Sequence, residues 1–401
     1  MAITRRRFVQ SAAALPLTAA SLSQIAPPAP ASAVSLFDPW VDVHAGHLGR
    51  NVEAVSRRVG GRPILAVVKN NGYGAGVANV GRLLDPLPAI HGLAVVKLQE
   101  AMALRDAGVR KPILLMGPVD ERHLEEAASR DVDVMIYTPI GEALDRVAAA
   151  LGRAVGIHVC VDTGIGRVGV PHSRAAELIR DLAARRGIRL AGTMMTFTED
   201  PEFDREQLRR FRTLCGALES AGVRLGPKHA ASSFALFQNP DSFLDMVRPG
   251  MALYGIYPEP PFRASGVLEL TPALALRARV AYVKRLSAGE SAGYNRAYVA
   301  SRDVWVATLP VGHADGWPRV AAKGARVRIR GTLFPVIASV SASHTIVEIG
   351  PDRHDVEIGD EATVFDWTEG SRPEDVSVAC GASVYDLAMH LNPLLPRRMV
   401  T

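Results

Sequence analysis

The sequence predicts an α/β protein, a (β/α)8 TIM-type barrel followed by a mostly antiparallel β domain. Three observations predict it. From about residue 60 to 255, short apolar runs alternate with longer helical patterns, as expected of parallel strands buried on both faces. Eight such runs occur, the number that closes a barrel. After about residue 270 the alternation stops, and short strand patterns separated by Gly, Asp and Pro turns replace it. An open doubly wound sheet is the alternative. No G-x-G-x-x-G follows an early strand, which counts against its dinucleotide-binding form.

The barrel runs are 64–68, 93–96, 113–116, 132–137, 157–161, 190–195, 228–232 and 246–254, the last two being the weakest strand patterns. Helical patterns lie between them at 98–107, 124–129, 175–184 and 206–219. In the second domain, 275–286, 304–309, 325–329, 333–340, 345–349 and 361–365 read as strands, and 384–391 as a helix. The expected partition is therefore 1–33 as a targeting segment, 34–270 as the barrel and 271–401 as the β domain.

The 401 residues are 48% hydrophobic, 22% charged and 6% aromatic, which suits a globular chain with room for two cores. The net charge is +5, but Arg5, Arg6 and Arg7 supply three of these charges and residues 1–33 hold no acid, which leaves +2 for the rest. No basic stripe interleaved with aromatics is present, so no nucleic-acid partner is expected. Cys160, Cys215 and Cys380 lie too far apart for a zinc ligand set and leave room for one disulfide at most.

Residues 1–33 read as a twin-arginine export signal. Arg5-Arg6-Arg7-Phe8 forms the basic region, 11–25 is a small-residue apolar stretch, and Ala31-Ser32-Ala33 fits a cleavage site. The apolar stretch is too short to span a membrane. A periplasmic or secreted destination is expected, with cleavage after Ala33.

The segment with the most chemical information is Ile64-Leu-Ala-Val-Val-Lys69-Asn-Asn-Gly-Tyr73-Gly-Ala-Gly76. A buried strand ends in a lysine, and a glycine-rich turn follows. In a barrel this places the lysine at the carboxyl end of a strand, where active sites form. Desolvation there lowers the amine's pKa and makes it a better nucleophile toward an aldehyde. The glycines let backbone N–H groups approach an anion. On composition alone, such a lysine is more often a solvated strand end.

The wording of the segment resembles the pyridoxal-phosphate (PLP) motif of alanine racemases and their relatives. The resemblance continues in order along the chain. It takes in Val161-Asp-Thr-Gly-Ile-Gly-Arg167, His229-Ala-Ala-Ser-Ser233 and Asp245-Met-Val-Arg248-Pro-Gly-Met-Ala-Leu-Tyr254. It goes on through Gly289-Glu-Ser-Ala-Gly-Tyr294-Asn-Arg-Ala-Tyr298, Leu309-Pro-Val-Gly-His-Ala-Asp315 and Tyr385 to Pro396-Arg397. The Gly-Tyr-Asn-Arg-Ala-Tyr wording is nearest to the exported broad-specificity amino-acid racemases.

The resemblance implies PLP as cofactor, an amino acid as substrate and a role for each matching residue. Lys69 would carry PLP covalently and act as acid or base on one face of the substrate Cα. Tyr294, supplied by a partner subunit, would act on the opposite face, because racemisation needs one proton group per face. Tyr73, Ser233, Gly250, Met251 and Tyr385 would hold the phosphate. Arg248 would face the pyridine nitrogen and keep it unprotonated, which weakens the cofactor as an electron sink. Arg167 would hold the substrate carboxylate or serve as the positive neighbour that Tyr294 needs. A head-to-tail homodimer with shared sites follows from these roles.

Three departures from the family pattern bear on substrate. Thr196 stands where a histidine usually packs on the pyridine ring. Ala342-Ser343 stand where a Met-Asp pair lies near the substrate carboxylate. Cys160 stands where a lysine, often carbamylated, orients the arginine. The expected pocket is larger and less acidic, for an amino acid longer than alanine. The competing readings are another PLP enzyme of this fold, a D-amino-acid aldolase or dehydratase, and a non-catalytic PLP- or amino-acid-binding homologue. An aldolase would add a metal, and the sequence offers no clear His/Asp ligand set for one. His354-Asp355 reads as a loop pair facing water.

Overall fold

A computed structural model describes residues 35–401. The expected export signal, 1–33, lies outside the described residues. Seven strands pair in parallel and in chain order: Ile64–Val67, Ile90–Val95, Ile113–Leu115, Val132–Ile136, Val155–Asp162, Ile188–Met194 and Lys228–His229. Their side chains are buried almost throughout, as expected of strands sandwiched by helices.

The barrel closes without a full eighth strand. Met246 bridges His229 and Val247 bridges Ile64, both in parallel. Leu65 and Val67 donate their N–H groups to the carbonyls of Val247 and Pro249, at 2.9 Å each. The expected strand over 246–254 thus ends early, because Pro249 has no N–H to extend a ladder. The chain turns instead into the 3-10 helix Met251–Tyr254. The seventh run is likewise reduced, to Lys228–His229.

Helices cover the outside. The longest, Pro201–Ser220, starts with Asp200 accepting from the N–H groups of Glu202 and Phe203. It buries Leu208, Phe211, Cys215 and Leu218, a spacing of three and four that forms one face.

The second domain is a nine-stranded sheet. Its order is Tyr282–Leu286, Val304–Leu309, Thr345–Gly350, Thr332–Ile337, Arg326–Ile329, Glu361–Phe365, Leu274–Arg279, Trp40–His44 and Arg397–Val400. All pairs are antiparallel except the last. The expected strand 275–286 is two strands in the structure, broken between Arg279 and Tyr282. The strand Trp40–His44 lies in this sheet, so the segment 34–270 does not lie wholly in the barrel. Arg277 pins it there, donating from Nε to Asp42 at 2.6 Å. The helix Pro373–Cys380 was not expected; Pro373 opens it, and Asp375 accepts from Gly370 and Arg372.

All three cysteines are buried free thiols. Among the described residues, no helix is long and apolar enough to cross a membrane.

Candidate active site

The Lys69 turn is left-handed. Asn70, Asn71, Gly72 and Tyr73 have φ of 54°, 55°, 63° and 52°. Most L-residues pay for this conformation with a Cβ clash, and Asn and Gly tolerate it best, so Asn70-Asn71-Gly72 suits the turn. Buried Glu100 pins it, with Oε1 accepting from Asn71 N–H at 2.9 Å and Oε2 accepting from Val96 and Lys97. Asn71 Oδ1 accepts from Val77 N–H at 3.0 Å. Arg397 Nε donates to the Gly74 carbonyl at 3.0 Å, tying the last strand to the turn.

This turn fixes Lys69 at the mouth of the barrel. Burial lowers its pKa first, the positive charge of Arg167 lowers it further, and Glu100 opposes both. Tyr73 is buried and stacked on Tyr254 with ring centroids 4.8 Å apart. Burial raises the pKa of its hydroxyl, which stays a neutral donor. Ser233 Oγ accepts from the N–H groups of Gly250 at 3.0 Å and Ala252 at 3.2 Å. A Cβ on Gly250 would stand 2.1 Å from Tyr73 Oη, so glycine is needed there for space.

Arg248 is buried at the same rim. Its NH1 donates to His229 Nδ1 at 2.9 Å and to the His229 carbonyl at 2.8 Å. Its NH2 donates to the Met195 carbonyl at 2.8 Å. Burial depresses its pKa to about 10, so it remains a cation at neutral pH.

Eight of the ten expected site residues line one cavity of about 470 Å³. They are Lys69, Tyr73, Arg167, Ser233, Arg248, Gly250, Met251 and Tyr385. Tyr385 sits in the helix Val384–Met389, and burial pushes its phenol up to about 12. Thr196 and Cys160, two of the departures, line the same cavity. The Cys160 thiol is pushed up to about 11 by burial and donates to the Val168 carbonyl at 3.7 Å, so it is neutral. Arg167 makes no hydrogen bond or ion pair among the described residues and is free to meet a ligand's carboxylate.

Tyr294 and Ala342 lie elsewhere. Both line a second cavity of about 560 Å³ on the β domain, with His313, Arg319 and Ser341. Tyr294 is 75% exposed on a turn that starts at Gly293. A small separate core of Leu286, Ala292, Ala300, Val304, Val306 and Ile337 supports this turn. The expected site residues therefore fall in two separate cavities.

The residues present fit PLP. Ser233, Tyr73 and the glycine-lined start of Met251–Tyr254 offer neutral donors to a phosphate. Ser232 Oγ, buried in the same cavity with no hydrogen-bond partner among the described residues, awaits one. Lys69 supplies an amine of lowered pKa. Replacing Gly250 with alanine is expected to weaken PLP binding at least tenfold, since overpacking costs about 1–3 kcal/mol. A PLP titration followed by absorbance checks this. Wild-type affinity in that variant would mean that Tyr73 does not hold the cradle.

The family model described as alanine racemase, N-terminal domain, matches residues 43–258, and the one described as alanine racemase, C-terminal domain, matches 273–399. The chain belongs to the alanine racemase family. It is 31% identical to the alanine racemase of Desulforamulus reducens over 365 residues, 89% of this chain and 98% of that one. It is 33% identical to alanine racemase 2 of Caldanaerobacter subterraneus over 343 residues, 83% of this chain and 86% of that one. The solved alanine racemase of Clostridium difficile 630 superposes with a TM-score of 0.84 at 27% identity, covering 90% of this chain and 96% of that one. The structure from D-cycloserine-producing Streptomyces lavendulae gives 0.84 at 29% identity, covering 91% and 97%. The fold is thus the alanine racemase fold, and the chain is a PLP-dependent racemase.

Residues that sequence reasoning missed include Glu100, Ser232 and Glu199. Glu100 holds the lysine turn from a helix start, and only its place three residues after Lys97 hints at a capping role. Ser232 adjoins Ser233, but nothing in the sequence separates the two. Glu199 lines the cavity with a positive φ of 69°, and burial raises its pKa.

Proposed function

We propose that this racemase interconverts L- and D-amino acids with side chains longer than alanine's, using Lys69 of one protomer and Tyr294 of a second copy on opposite faces of Cα. The observation that carries the reading is the separation of Lys69 and Tyr294 into two cavities of one chain. In this reading a head-to-tail homodimer joins each barrel cavity, which holds Lys69, to the partner's β-domain cavity, which holds Tyr294. PLP, when bound, withdraws electrons from the attached Cα and so acidifies its C–H bond. Lys69 Nζ takes the proton from one face and Tyr294 Oη returns one to the other, or the reverse for the other enantiomer. Arg167 binds the substrate carboxylate. Arg248, held by His229 and the Met195 carbonyl, would offer a fixed positive charge to the ring of PLP and limit side reactions. Ser233 and Tyr73 would hold its phosphate.

Substrate range rests on Ala342-Ser343 and Thr196. Ala342 lines the Tyr294 cavity and lacks the bulk of the methionine usual in the family. The twin-arginine pattern in residues 1–33 adds export to this proposal. The test is a kcat/KM series from alanine to long-chain amino acids. At least one longer substrate is expected to match or exceed alanine. Ala342→Met is expected to lower kcat/KM for that substrate about tenfold while leaving alanine within about threefold. Turnover of alanine alone would contradict the proposed specificity and leave the racemase assignment standing.

A further inference from the structure

Behind Arg248 a line of side chains runs through the barrel to its opposite end. Arg248 NH1 donates to His229 Nδ1 at 2.9 Å, and His229 Nε2 lies 2.8 Å from His158 Nδ1. His158 Nε2 faces Asp133 Oδ2 at 3.8 Å, and Asp133 Oδ1 accepts from Arg189 NH2 at 2.8 Å. Both histidines are buried, with 5% and 0% exposure.

From this geometry we propose that Asp133 is a positioning residue for Arg248, acting through the imidazoles of His158 and His229. A guanidinium only donates, so His229 Nδ1 must accept. A neutral His229 then carries its proton on Nε2 and donates to His158 Nδ1. His158 in turn carries its proton on Nε2, toward the carboxylate. Only this one arrangement satisfies every contact. Burial lowers the pKa of both histidines, in keeping with two neutral rings. The two ring dipoles then align, negative ends toward Arg248 and positive ends toward Asp133, and polarise each other.

Arg248 needs such a partner. It is a buried cation with no ion pair to a carboxylate among the described residues, and an uncompensated buried charge is costly. Asp133 supplies the compensation from a distance, through oriented rings. The strands make room for the line. A Cβ on Gly192 would stand 2.4 Å from His158 Nδ1 and 3.0 Å from His229 Nε2. A Cβ on Gly156 would stand 1.7 Å from Asp133 Oδ1. Neither glycine has a positive φ, so each is required for space and not for backbone conformation. They sit on the neighbouring strands Val155–Asp162 and Ile188–Met194.

The inference rests on the role of Arg248 at the cofactor, and its test includes a readout independent of turnover. In the PLP-loaded protein, nitrogen-15 NMR of histidine is expected to show His158 and His229 neutral, each with its proton on Nε2. In Asp133→Asn both tautomers are expected to persist, because Arg248 still sets them, while the nitrogen-15 and proton signals of His158 Nε2–H and of the Arg248 guanidinium are expected to shift. With a racemised substrate, kcat is expected to fall about tenfold with KM within about twofold, the size seen when outer partners of a site residue are removed. Asp133→Glu is expected to restore most of it. Unshifted His158 and Arg248 signals in Asp133→Asn, or a loss of Tm with kcat intact, would overturn the proposal. Should Asp133→Asn not fold, His158→Gln cuts the line one link earlier and is expected to give the same loss in kcat; wild-type kcat there would overturn it too. If the wild type racemises nothing while the His158 and Arg248 signals shift in Asp133→Asn as stated, the function is misread and the positioning role of Asp133 stands.

Discussion

Lys69→Ala is expected to lose covalent attachment of PLP and at least about a thousandfold of the racemase activity. Among the described residues lining the cavity, Lys69 is the amine of lowered pKa, and it lines the same cavity as the phosphate cradle. Ser233, Tyr73 and Arg248 do not depend on it, so the variant is still expected to bind PLP reversibly. Absorbance before and after dialysis separates the two kinds of binding. The sign of the pH effect follows from the causes of the shift. Burial and Arg167 both disfavour the ammonium, so more of the amine is neutral near pH 7 than in a free lysine. Removing the charge, as in Arg167→Leu, is expected to raise the Lys69 pKa and move PLP attachment toward higher pH. A Lys69→Ala protein that keeps covalent PLP and turnover would show that another amine carries the cofactor.

Tyr294→Phe is expected to lose about a hundredfold or more of kcat/KM equally in both stereochemical directions, because each direction needs both proton groups, while only the enantiomer whose Cα proton Lys69 takes still exchanges that proton with solvent. Mixing Tyr294→Phe with Lys69→Ala protomers is expected to recover activity. Each heterodimer then holds one site with an intact Lys69 and an intact Tyr294. The exposed position of Tyr294, on a turn of the β domain away from the Lys69 cavity, is what makes this expectation specific. A small loss of turnover, solvent exchange retained equally by both enantiomers, or no recovery in mixtures where heterodimers form, would refute the shared site.

Much of the fold was legible in the sequence because parallel strands between helices must be apolar throughout. The runs at 64–68, 113–116 and 132–137 lie within a residue or two of observed strands for that reason. The eighth run failed because hydrophobicity reports burial and not hydrogen bonding: residues 251–254 are buried in a 3-10 helix. Trp40–His44 was misplaced because a five-residue strand carries no mark of the sheet it joins, and its partners lie more than 200 residues away. The break at Val280 was invisible because the apolar alternation runs across it.

The site was legible where motifs carry it, at Lys69, Ser233 and Arg248. It was not legible where a neighbour's role depends on packing across the barrel. Glu100 and Asp133 read as ordinary acids of a helix and a strand. Gly156 and Gly192 read as weak points in strands, whereas the structure makes each the gap through which a side chain passes. Such roles arise from Cβ-to-atom distances between strands, which no local spacing encodes.

Proton exchange and inversion at Cα by the PLP-loaded protein is the reaction on which every proposed residue role depends. Its most direct test is incubation of the purified protein with each L-amino acid in deuterated water, reading chirality and deuterium at Cα together. Inverted product is expected to carry deuterium, and an amino acid longer than alanine is expected among the substrates. Visible PLP bound at Lys69 with neither exchange nor inversion on any amino acid, alanine included, would contradict it.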